Sequence, residues 1–211
     1  MFTETLFGKT KDTLAILGKS GLLNTSYLAG GTACALQLGH RISVDLDFFT
    51  PVEFDAKESV KSLKKIGAFE LERQSWGTVL GTFAGIKFSI FIYKYPVLFP
   101  YKSIYNINIV DLKDIAAMKI DAISTRGIKR DFIDLYFICQ KKISLKQALS
   151  FYDRKYGKLA SNFIHIQKSL LYFVDADASE APRMLKPCSW EEVKGYFEKE
   201  VKKIAIKAPR K

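Results

Sequence analysis

Cysteine is scarce in this sequence, and its spacing excludes the common cysteine-based frameworks. The 211 residues include three cysteines, Cys34, Cys139 and Cys188, and none of them belongs to a CxxC pair. Thiols scattered in this way indicate neither a disulfide framework nor a zinc site.

Long apolar runs are also missing. No run reaches the length that spans a bilayer, and no internal repeat or low-complexity segment occurs. The first residues, MFTETLFGKTKD, lack the pattern of a signal peptide. We therefore expect a cytoplasmic protein with no membrane partner.

The composition is that of a folded, basic protein. Hydrophobic residues make up 48% of the chain and aromatic residues 13%, which excludes disorder as the main state. The length suits one domain, or one domain with a helical extension. The formal net charge of +11 favours a polyanionic partner such as a nucleic acid. A basic protein without nucleic acid, or one with an acidic protein partner, fits the same charge.

A glycine turn lies near the start of the segment around which the chain is organised, YLAGGTACALQLGHRISVDLDFF, Tyr27 to Phe49. Gly30, Gly31 and Thr32 precede a short predicted helix that Gly39 ends. Glycine lets the backbone approach a ligand closely, and a helix N-terminus offers free N–H groups to an anion. The pattern predicts a phosphate site, with an ordinary tight turn as the alternative.

Two aspartates follow on the strand predicted from VDLDFF. Because side chains alternate along a strand, Asp45 and Asp47 share one face, and Val44, Leu46 and Phe48 share the other. Adjacent carboxylates repel, so a fold that keeps them together usually holds a cation there. A solvated strand edge is the alternative. Together with the glycine turn, the pair indicates Mg²⁺-assisted handling of a nucleoside triphosphate.

Strands and helices alternate up to residue 110, and only helices are predicted after it. The further predicted strands cover 69–73, 78–83, 86–93 and 107–110. One or two short helices, interrupted by Gly8, are predicted over 2–19, and further helices are predicted over 55–66, 111–126, 130–140, 144–156, 159–174 and 189–203. Loops are predicted over 95–105 and 175–187, and the basic tail, KKIAIKAPRK, is predicted to be frayed and solubilising.

A lysine lies within an otherwise apolar stripe of the helix predicted over 111–126. The inward positions are Leu112, Ile115, Ala116, Lys119, Ile120 and Ile123. An inward lysine is unfavourable unless it reaches a partner or a ligand. Arg126 follows about two turns later on the same side, and the next helix carries Asp131 and Asp134 one turn apart. One interpretation is a salt-bridge cluster between the helices that does no chemistry. In the other, which is compatible with it, Lys119 contacts a triphosphate and Asp131 orients it. Asp134 then holds Arg126.

Two segments of the sequence carry a family resemblance. They are GGTACALQLGHRISVDLDFF and, further along, DIAAMKIDAISTRGIKRDFIDLY. In this order they resemble the AbiEii/AbiGii toxin family, whose members are nucleotidyltransferase-like proteins of the DNA polymerase β superfamily. These proteins are toxins of toxin–antitoxin and phage-abortive systems. The resemblance extends from about Tyr27 to Tyr136. It implies an α+β fold with a nucleotidyltransferase-like core, residues 1–110, whose mixed sheet is flanked by helices. An all-helical C-terminal part, residues 111–211, is expected to pack on this core.

The resemblance also implies ligands and roles for particular residues. It implies an NTP as substrate, Mg²⁺ or Mn²⁺ as cofactor, an RNA such as tRNA as acceptor, and a cognate antitoxin as protein partner. The implied metal ligands are Asp45 and Asp47. The implied NTP-binding residues are Gly30, Gly31, Thr32, Arg41, Lys119 and Arg126. The implied catalytic residues are Asp45, Asp47, Lys119 and Asp131, and the implied supporting residues are Ser43 and Asp134.

The sequence departs from the superfamily at one place. The superfamily commonly supplies a third carboxylate from a later central strand, whereas the strand predicted over 86–93 offers Ser89 and no acid. The next acids, Glu70 and Glu72, lie on an earlier strand that is predicted to be half exposed. Three alternatives remain open: one firmly held metal, Asp131 as the base, or nucleotide binding without transfer.

Three hypotheses therefore stand, in order of preference. The first is a Mg²⁺-dependent nucleotidyltransferase toxin that moves a nucleoside monophosphate from an NTP to an RNA or, less favoured, to a protein hydroxyl. The second is a catalytically degenerate module that binds nucleotide or RNA. The third is a structural or partner-binding domain in which the Lys–Asp cluster is a core polar network.

Overall fold

The computed structural model describes residues 1–206, with side chains as far as Ile204. The chain forms two compact units, Met1–Asp111 and a second that begins at Leu112. Within the described residues, no helix combines the length and the apolar character needed to cross a bilayer.

A mixed β-sheet forms the centre of the first unit. Between residues 1 and 111 its seven strands are β1 (Tyr27–Leu28), β2 (Leu46–Thr50), β3 (Phe69–Ser75), β4 (Thr78–Phe83), β5 (Ile86–Ile92), β6 (Lys102–Ile104) and β7 (Ile107–Ile109). Their spatial order is β3-β4-β5-β2-β1-β7-β6. β2 runs parallel to β5 and β1 runs parallel to β7, whereas the other neighbouring pairs are antiparallel.

The first unit also contains helices. The helices of residues 1–111 are a 3₁₀ helix (Thr3–Thr5), α1 (Thr10–Lys19), α2 (Gly30–Leu38) and α3 (Ala56–Ile66). The predicted end of α2 at Gly39 and the predicted cap of α3 at Asp55 are both present. Gly39 ends α2 in the left-handed conformation, with φ of 62°. Asp55 caps α3 because its carboxylate accepts hydrogen bonds from the backbone N–H groups of Lys57 and Glu58.

β2 has one buried and one half-buried face. Leu46 and Phe48 are fully buried, while Asp47 and Phe49 are half-buried on the opposite face. The alternation predicted for this strand is therefore confirmed from Leu46 onward. It gives the first unit a face of the sheet on which a carboxylate and aromatic rings reach solvent.

The predicted start of this strand was wrong. β2 begins at Leu46, so Asp45 lies just before it, and Val44 is 40% exposed instead of sharing the buried face. The Thr32 hydroxyl binds the carbonyl oxygen of Asp45. The Asp45 carbonyl thus accepts its hydrogen bond from a side chain and not from a neighbouring strand. This explains why strand pairing begins only at Leu46.

β3 is an edge strand that projects its side chains into solvent. Every residue of β3 after Phe69 is exposed, including the charged Glu70, Glu72 and Arg73. A register shift between Leu71 and Arg73 interrupts its pairing with β4.

Helices alone make up the described part of the second unit. They are α4 (Leu112–Thr125), α5 (Lys129–Lys141), α6 (Leu145–Tyr156), α7 (Leu159–Ser169), α8 (Val174–Ala178) and α9 (Trp190–Ile206). Ser144 and Gln147 form the predicted capping box at the start of α6, and Gly157 ends this helix with φ of 63°.

Three local predictions are corrected by the structure. β6 lies inside the predicted loop 95–105 because Tyr105 and Asn106 adopt positive φ and turn the chain back into β7, although neither residue is glycine. The helix predicted over 159–174 ends at Ser169, and the short α8 occupies part of the predicted loop 175–187. α9 continues to Ile206, so the first residues of the predicted frayed tail are helical, and residues 207–211 lie outside the described part.

Candidate functional site

The predicted site residues form two clusters, one in each unit. The cluster of the first unit contains Gly30, Gly31, Thr32, Arg41, Ser43, Asp45 and Asp47. The cluster of the second unit contains Lys119, Arg126, Asp131 and Asp134.

Hydrogen bonds hold the start of β2 against the glycine turn. The backbone N–H of Ala29 donates to the carbonyl oxygen of Asp47 at 3.0 Å. The Thr32 hydroxyl donates to the carbonyl oxygen of Asp45 and lies 2.9 Å from the hydroxyl oxygen of Ser43. The Asp-x-Asp backbone is thus fixed beside the N-terminus of α2, and Ser43 contacts the same threonine.

Gly30 gives the carboxylate of Asp47 room to lie against the turn. Its φ is +66°, a conformation that side chains disfavour, and a Cβ built on it would lie 3.1 Å from Oδ2 of Asp47. The backbone of the turn therefore approaches Asp47 more closely than a residue with a side chain allows.

Gly31 leaves similar room for the guanidinium group of Arg41. A Cβ on Gly31 would lie 2.3 Å from Nη2 of Arg41 and 3.2 Å from Oγ of Ser43. Arg41 is 4% exposed, and its Nη1 donates to the carbonyl oxygen of Ile42 at 3.0 Å. The guanidinium is thereby held against the first turn of α2, and its predicted role in NTP binding stays a prediction.

The first turn of α2 offers backbone donors next to these charges. The N–H groups of Gly30, Gly31 and Thr32 precede the first bond within the helix, from Ala33 N–H to the carbonyl oxygen of Ala29 at 3.4 Å. Such donors, the positive end of a helix dipole and a nearby guanidinium suit a phosphate group.

Ser89 lies beside Asp47, a pairing that sequence reasoning did not find. The two residues are in register across the parallel β2–β5 pair, and the Ser89 hydroxyl donates to Oδ1 of Asp47 at 2.6 Å. A polar residue in the middle of the apolar strand IKFSIFI was the available signal. Glu70 lies three strands away from β2, roughly 14 Å from the spacing of neighbouring strands, too far to share a ligand with Asp47.

The second cluster is a buried network of four charges. Lys119 on α4 places Nζ 2.8 Å from Oδ1 of Asp131 and 2.6 Å from Oδ2 of Asp134, both on α5. Arg126 donates to Asp131 through Nε at 2.9 Å and through Nη2 at 3.1 Å. The aspartate side chains are fully buried and Lys119 nearly so, whereas the Arg126 side chain is 53% exposed. The predicted inter-helix salt-bridge cluster is therefore present, and Asp134 contacts Lys119.

Asp131 is ionised in this network. Burial raises its pKa, but the charges and hydrogen bonds of Lys119 and Arg126 outweigh that effect and bring the pKa below its ordinary value. Both carboxylate oxygens accept from these cations. Asp131 is consequently a weak proton acceptor at neutral pH.

A second buried ion pair, Lys155 with Asp114, was missed. Nζ of Lys155 on α6 lies 2.9 Å from Oδ1 of Asp114 on α4, and both side chains are fully buried. The sequence signal was the one that singled out Lys119. Lys155 follows Tyr152 by three residues on the buried stripe of α6.

The fold is shared with solved structures. JHP933 from Helicobacter pylori has a TM-score of 0.57 at 16% sequence identity, covering 94% of this chain and 91% of that chain. MenT4, a nucleotidyltransferase toxin from Mycobacterium tuberculosis H37Rv, has a TM-score of 0.54 at 16% identity, covering 90% of this chain and 84% of its own. The chain thus has a nucleotidyltransferase-like α+β fold, as predicted.

The sequence supplies the family. Residues 12–103 and 93–194 match the family described as nucleotidyl transferase AbiEii toxin, type IV TA system. The chain belongs to this family, which confirms the predicted resemblance. It is also similar to the uncharacterized protein aq_aa25 of Aquifex aeolicus (strain VF5), with 42% identity over 187 residues, 86% of this chain and 89% of the relative.

Proposed function

We propose that this member of a nucleotidyltransferase toxin family transfers a nucleoside monophosphate from an NTP to a hydroxyl group of an RNA such as tRNA. The observation that carries the proposal is the close approach of the Gly30 backbone to the Asp47 carboxylate. It brings a phosphate-binding helix N-terminus next to a carboxylate that can hold a cation.

The donor set fits a hard divalent cation such as Mg²⁺ or Mn²⁺. Asp45, Asp47 and the adjacent Ser89 hydroxyl offer oxygen atoms, which these cations prefer. We assign Asp45 and Asp47 as the metal ligands. A bound cation supplies charge neutralisation for the α-phosphate and for the pyrophosphate that leaves.

The chain's own residues then bind and orient the triphosphate. The amides of Gly30, Gly31 and Thr32 donate to phosphate oxygens, and Arg41 adds positive charge at the same helix end. We retain Lys119 and Arg126 as triphosphate-binding cations and Asp134 as a supporting residue. Because the pKa of Asp131 is lowered and its oxygens accept from two cations, we assign it the orientation of Lys119 and not the role of base.

Two further features support the acceptor and the partner. The net charge of +11 suits a polyanionic acceptor such as RNA, since lysines and arginines next to phosphates release counterions on binding. The matched family is that of a type IV TA system, so we include a cognate antitoxin among the partners.

Label transfer tests the proposal directly. The full chain is incubated with each α-labelled NTP, Mg²⁺ or Mn²⁺, and total tRNA, and the RNA is then resolved on a gel. We expect label on RNA with at least one NTP, none after chelation, and none with Asp45→Ala. Glu198→Ala, which changes an exposed acid on α9, is the matched control and should transfer normally. Absence of label with every NTP, or equal label with Asp45→Ala, contradicts the proposal.

Ser89 favours one second candidate, a nucleotide- or RNA-binding module without transfer activity. Two-metal catalysis uses carboxylates that bridge both ions, and the residue next to Asp47 on β5 is a serine. This candidate predicts NTP or RNA binding by calorimetry in a protein that transfers no label. Turnover by the wild-type chain excludes it.

A further inference from the structure

A cluster of aromatic rings continues the Asp47 face of the sheet. We call Phe49, Phe91, Tyr93, Tyr95 and Tyr101 the aromatic platform. Centroid distances are 5.6 Å between Phe49 and Phe91, 5.1 Å between Phe49 and Tyr93, and 5.1 Å between Tyr93 and Tyr95. The buried ring of Tyr27 lies between Phe49 and Tyr101, with centroids 6.1 Å and 5.5 Å away. Direct ring contacts therefore link Phe91, Phe49, Tyr93 and Tyr95, and Tyr101 is linked to them through the buried Tyr27.

Strand geometry places this platform next to the carboxylate. Phe49 follows Asp47 by two residues on β2, so both side chains point to the same face, roughly 7 Å apart along the strand. Phe91 is in register with Phe49, just as Ser89 is in register with Asp47. On this face of the sheet, the polar pair of Asp47 and Ser89, where we propose the cation, is therefore followed directly by the aromatic pair of Phe49 and Phe91.

The platform is accessible from solvent. Tyr95 is 37% exposed and Tyr101 is 43% exposed, and Phe49, Phe91 and Tyr93 are half-buried. Aromatic side chains in contact with one another usually bury their faces in a core. Their position at the surface points to a ligand with flat apolar faces.

Lysines alternate with these tyrosines in the sequence. Lys94 stands between Tyr93 and Tyr95, and Lys102 follows Tyr101. Lys94 pairs with Glu53 at 3.0 Å and Lys102 with Asp111 at 3.4 Å, with lysine side chains 58% and 46% exposed. The Glu53 side chain is 64% exposed and that of Asp111 is 20% exposed, and Lys102 also donates to Oε1 of Gln37 at 2.7 Å. An exposed ion pair such as Lys94–Glu53 contributes little, so a phosphate can replace Glu53. At Lys102 a phosphate has to replace the bond to Gln37 as well.

We propose that the aromatic platform stacks the bases of the single-stranded end of an acceptor RNA, with Lys94 and Lys102 on its phosphates. The proposal rests on the proposed function for its orientation, because a strand stacked on Phe49 ends beside Asp47. Stacking tolerates any base, since every base has a π face, and lysines beside aromatic rings are the pattern of single-strand binding.

An acceptor strand fits the platform better than the base of the NTP does. A single base covers one or two rings, whereas the ring contacts here continue from Phe91 through Phe49 and Tyr93 to Tyr95. The triphosphate is already assigned to the turn from Gly30 to Thr32. The platform therefore has room for successive bases of a second substrate.

Binding of a short, fluorescently labelled single-stranded RNA to the full chain, measured by anisotropy, tests the platform without turnover. The test variant is Tyr95→Leu/Tyr101→Leu, which removes two exposed rings and should leave the unfolding midpoint unchanged. Tyr95→Phe/Tyr101→Phe keeps the rings and removes only the hydroxyls. Phe7→Leu is the matched control, because Phe7 is 58% exposed and lies outside the platform.

We expect the Leu double variant to bind the RNA at least about fivefold more weakly for each ring that stacks a base. The Phe double variant and Phe7→Leu should bind like the wild type, and NTP affinity by calorimetry should be the same in all four proteins. Four results overturn the proposal: no RNA binding by the wild type, undiminished binding by the Leu variant, equal losses in the Phe and Leu variants, or a loss of NTP affinity alone.

The label-transfer assay separates the two proposals. A wild-type chain that binds RNA through the platform but transfers no label contradicts the proposed function alone. A chain that transfers label equally well with and without the two tyrosine rings contradicts the platform alone.

Discussion

Ser89 donates a 2.6 Å hydrogen bond to Asp47 across the parallel β2–β5 pair. A hydroxyl thus occupies the place on β5 where a carboxylate would directly face Asp47. The candidate site of the first unit therefore has two aspartates and a serine around the glycine turn, and the divalent cation that we propose there would be held by two negative charges.

Replacing Ser89 by aspartate should make the protein depend on divalent cations. Without metal, Ser89→Asp should melt at a lower temperature than the wild type, because its carboxylate repels that of Asp47. Mg²⁺ should then raise the melting temperature of the variant more than that of the wild type. Ser89→Ala is the control, since it removes the hydrogen bond without adding charge. Equal Mg²⁺ shifts in all three proteins would contradict the two-aspartate site.

Replacement of Gly30 should affect both stability and activity, because Gly30 has a positive φ and its lack of a side chain leaves room for Asp47. Gly30→Ala forces a side chain into positive φ, which costs roughly 1–2 kcal/mol, and also crowds Oδ2 of Asp47. Gly8→Ala is the matched control, because Gly8 has φ of +59° and nothing within 4 Å of a built Cβ. Chemical unfolding should show a similar loss of stability in both variants, whereas label transfer per folded molecule should fall only in Gly30→Ala. Equal activities would show that the approach to Asp47 is not required.

Variants of the two buried lysines, Lys119 and Lys155, allow an effect on stability to be distinguished from an effect on activity. Lys119→Ala leaves Asp131 and Asp134 without their shared cation, and Lys155→Ala does the same to Asp114. Each change should lower the free energy of unfolding by about 3–5 kcal/mol, since a buried carboxylate loses the ammonium group that lies against it.

Activity corrected for the folded fraction then tests Lys119. We expect Lys155→Ala to keep wild-type transfer per folded molecule and Lys119→Ala to lose it. If both variants keep it, Lys119 serves only the helix pair, and the third hypothesis of a structural polar network gains support.

Acid should destabilise the protein partly through Asp131. Its folded pKa is lower than the ordinary value of 3.8, so its contribution is fully present above that value and is lost as the pH falls through the folded pKa. Urea unfolding at a series of acidic pH values should show a shallower pH dependence in Asp131→Asn than in the wild type. Identical slopes would mean that Asp131 titrates alike in the folded and unfolded chains.

Thiol reactivity should distinguish the three cysteines. Cys34 is buried, and burial raises the pKa of Cys139 to about 12, so neither supplies a reactive thiolate at neutral pH. In the native protein the fastest reaction with a disulfide reagent should therefore be at Cys188, and Cys188→Ser should remove it. Complete labelling after denaturation is the control. Fast labelling of Cys139 in the native chain would contradict its described surroundings.

Local signals explain most of what the sequence predicted. Gly39, Asp55 and Ser144 end or begin helices through hydrogen bonds and backbone conformations within a few residues, so they can be recognised without the fold. The stripe around Lys119 also identified a buried cluster, because helical periodicity determines which side chains share a face.

The contacts that could not be predicted from the sequence join residues that are far apart in the chain. Ser89 and Asp47 are 42 residues apart, and Asp114 and Lys155 are 41 residues apart. Strand register and helix packing bring these pairs together, and neither is written in a local pattern. The start of β2 was misplaced for the same reason, since the contact that draws Asp45 away from the ladder comes from Thr32.

The outermost strand β3 bears on how the protein behaves at high concentration. An unpaired strand border is a template on which another chain can add and begin aggregation. Two features make β3 a poor template for such pairing. Its register shifts between Leu71 and Arg73, and it exposes the charges of Glu70 and Glu72. A basic protein with this border should stay dispersed where a flat, apolar border would seed fibres.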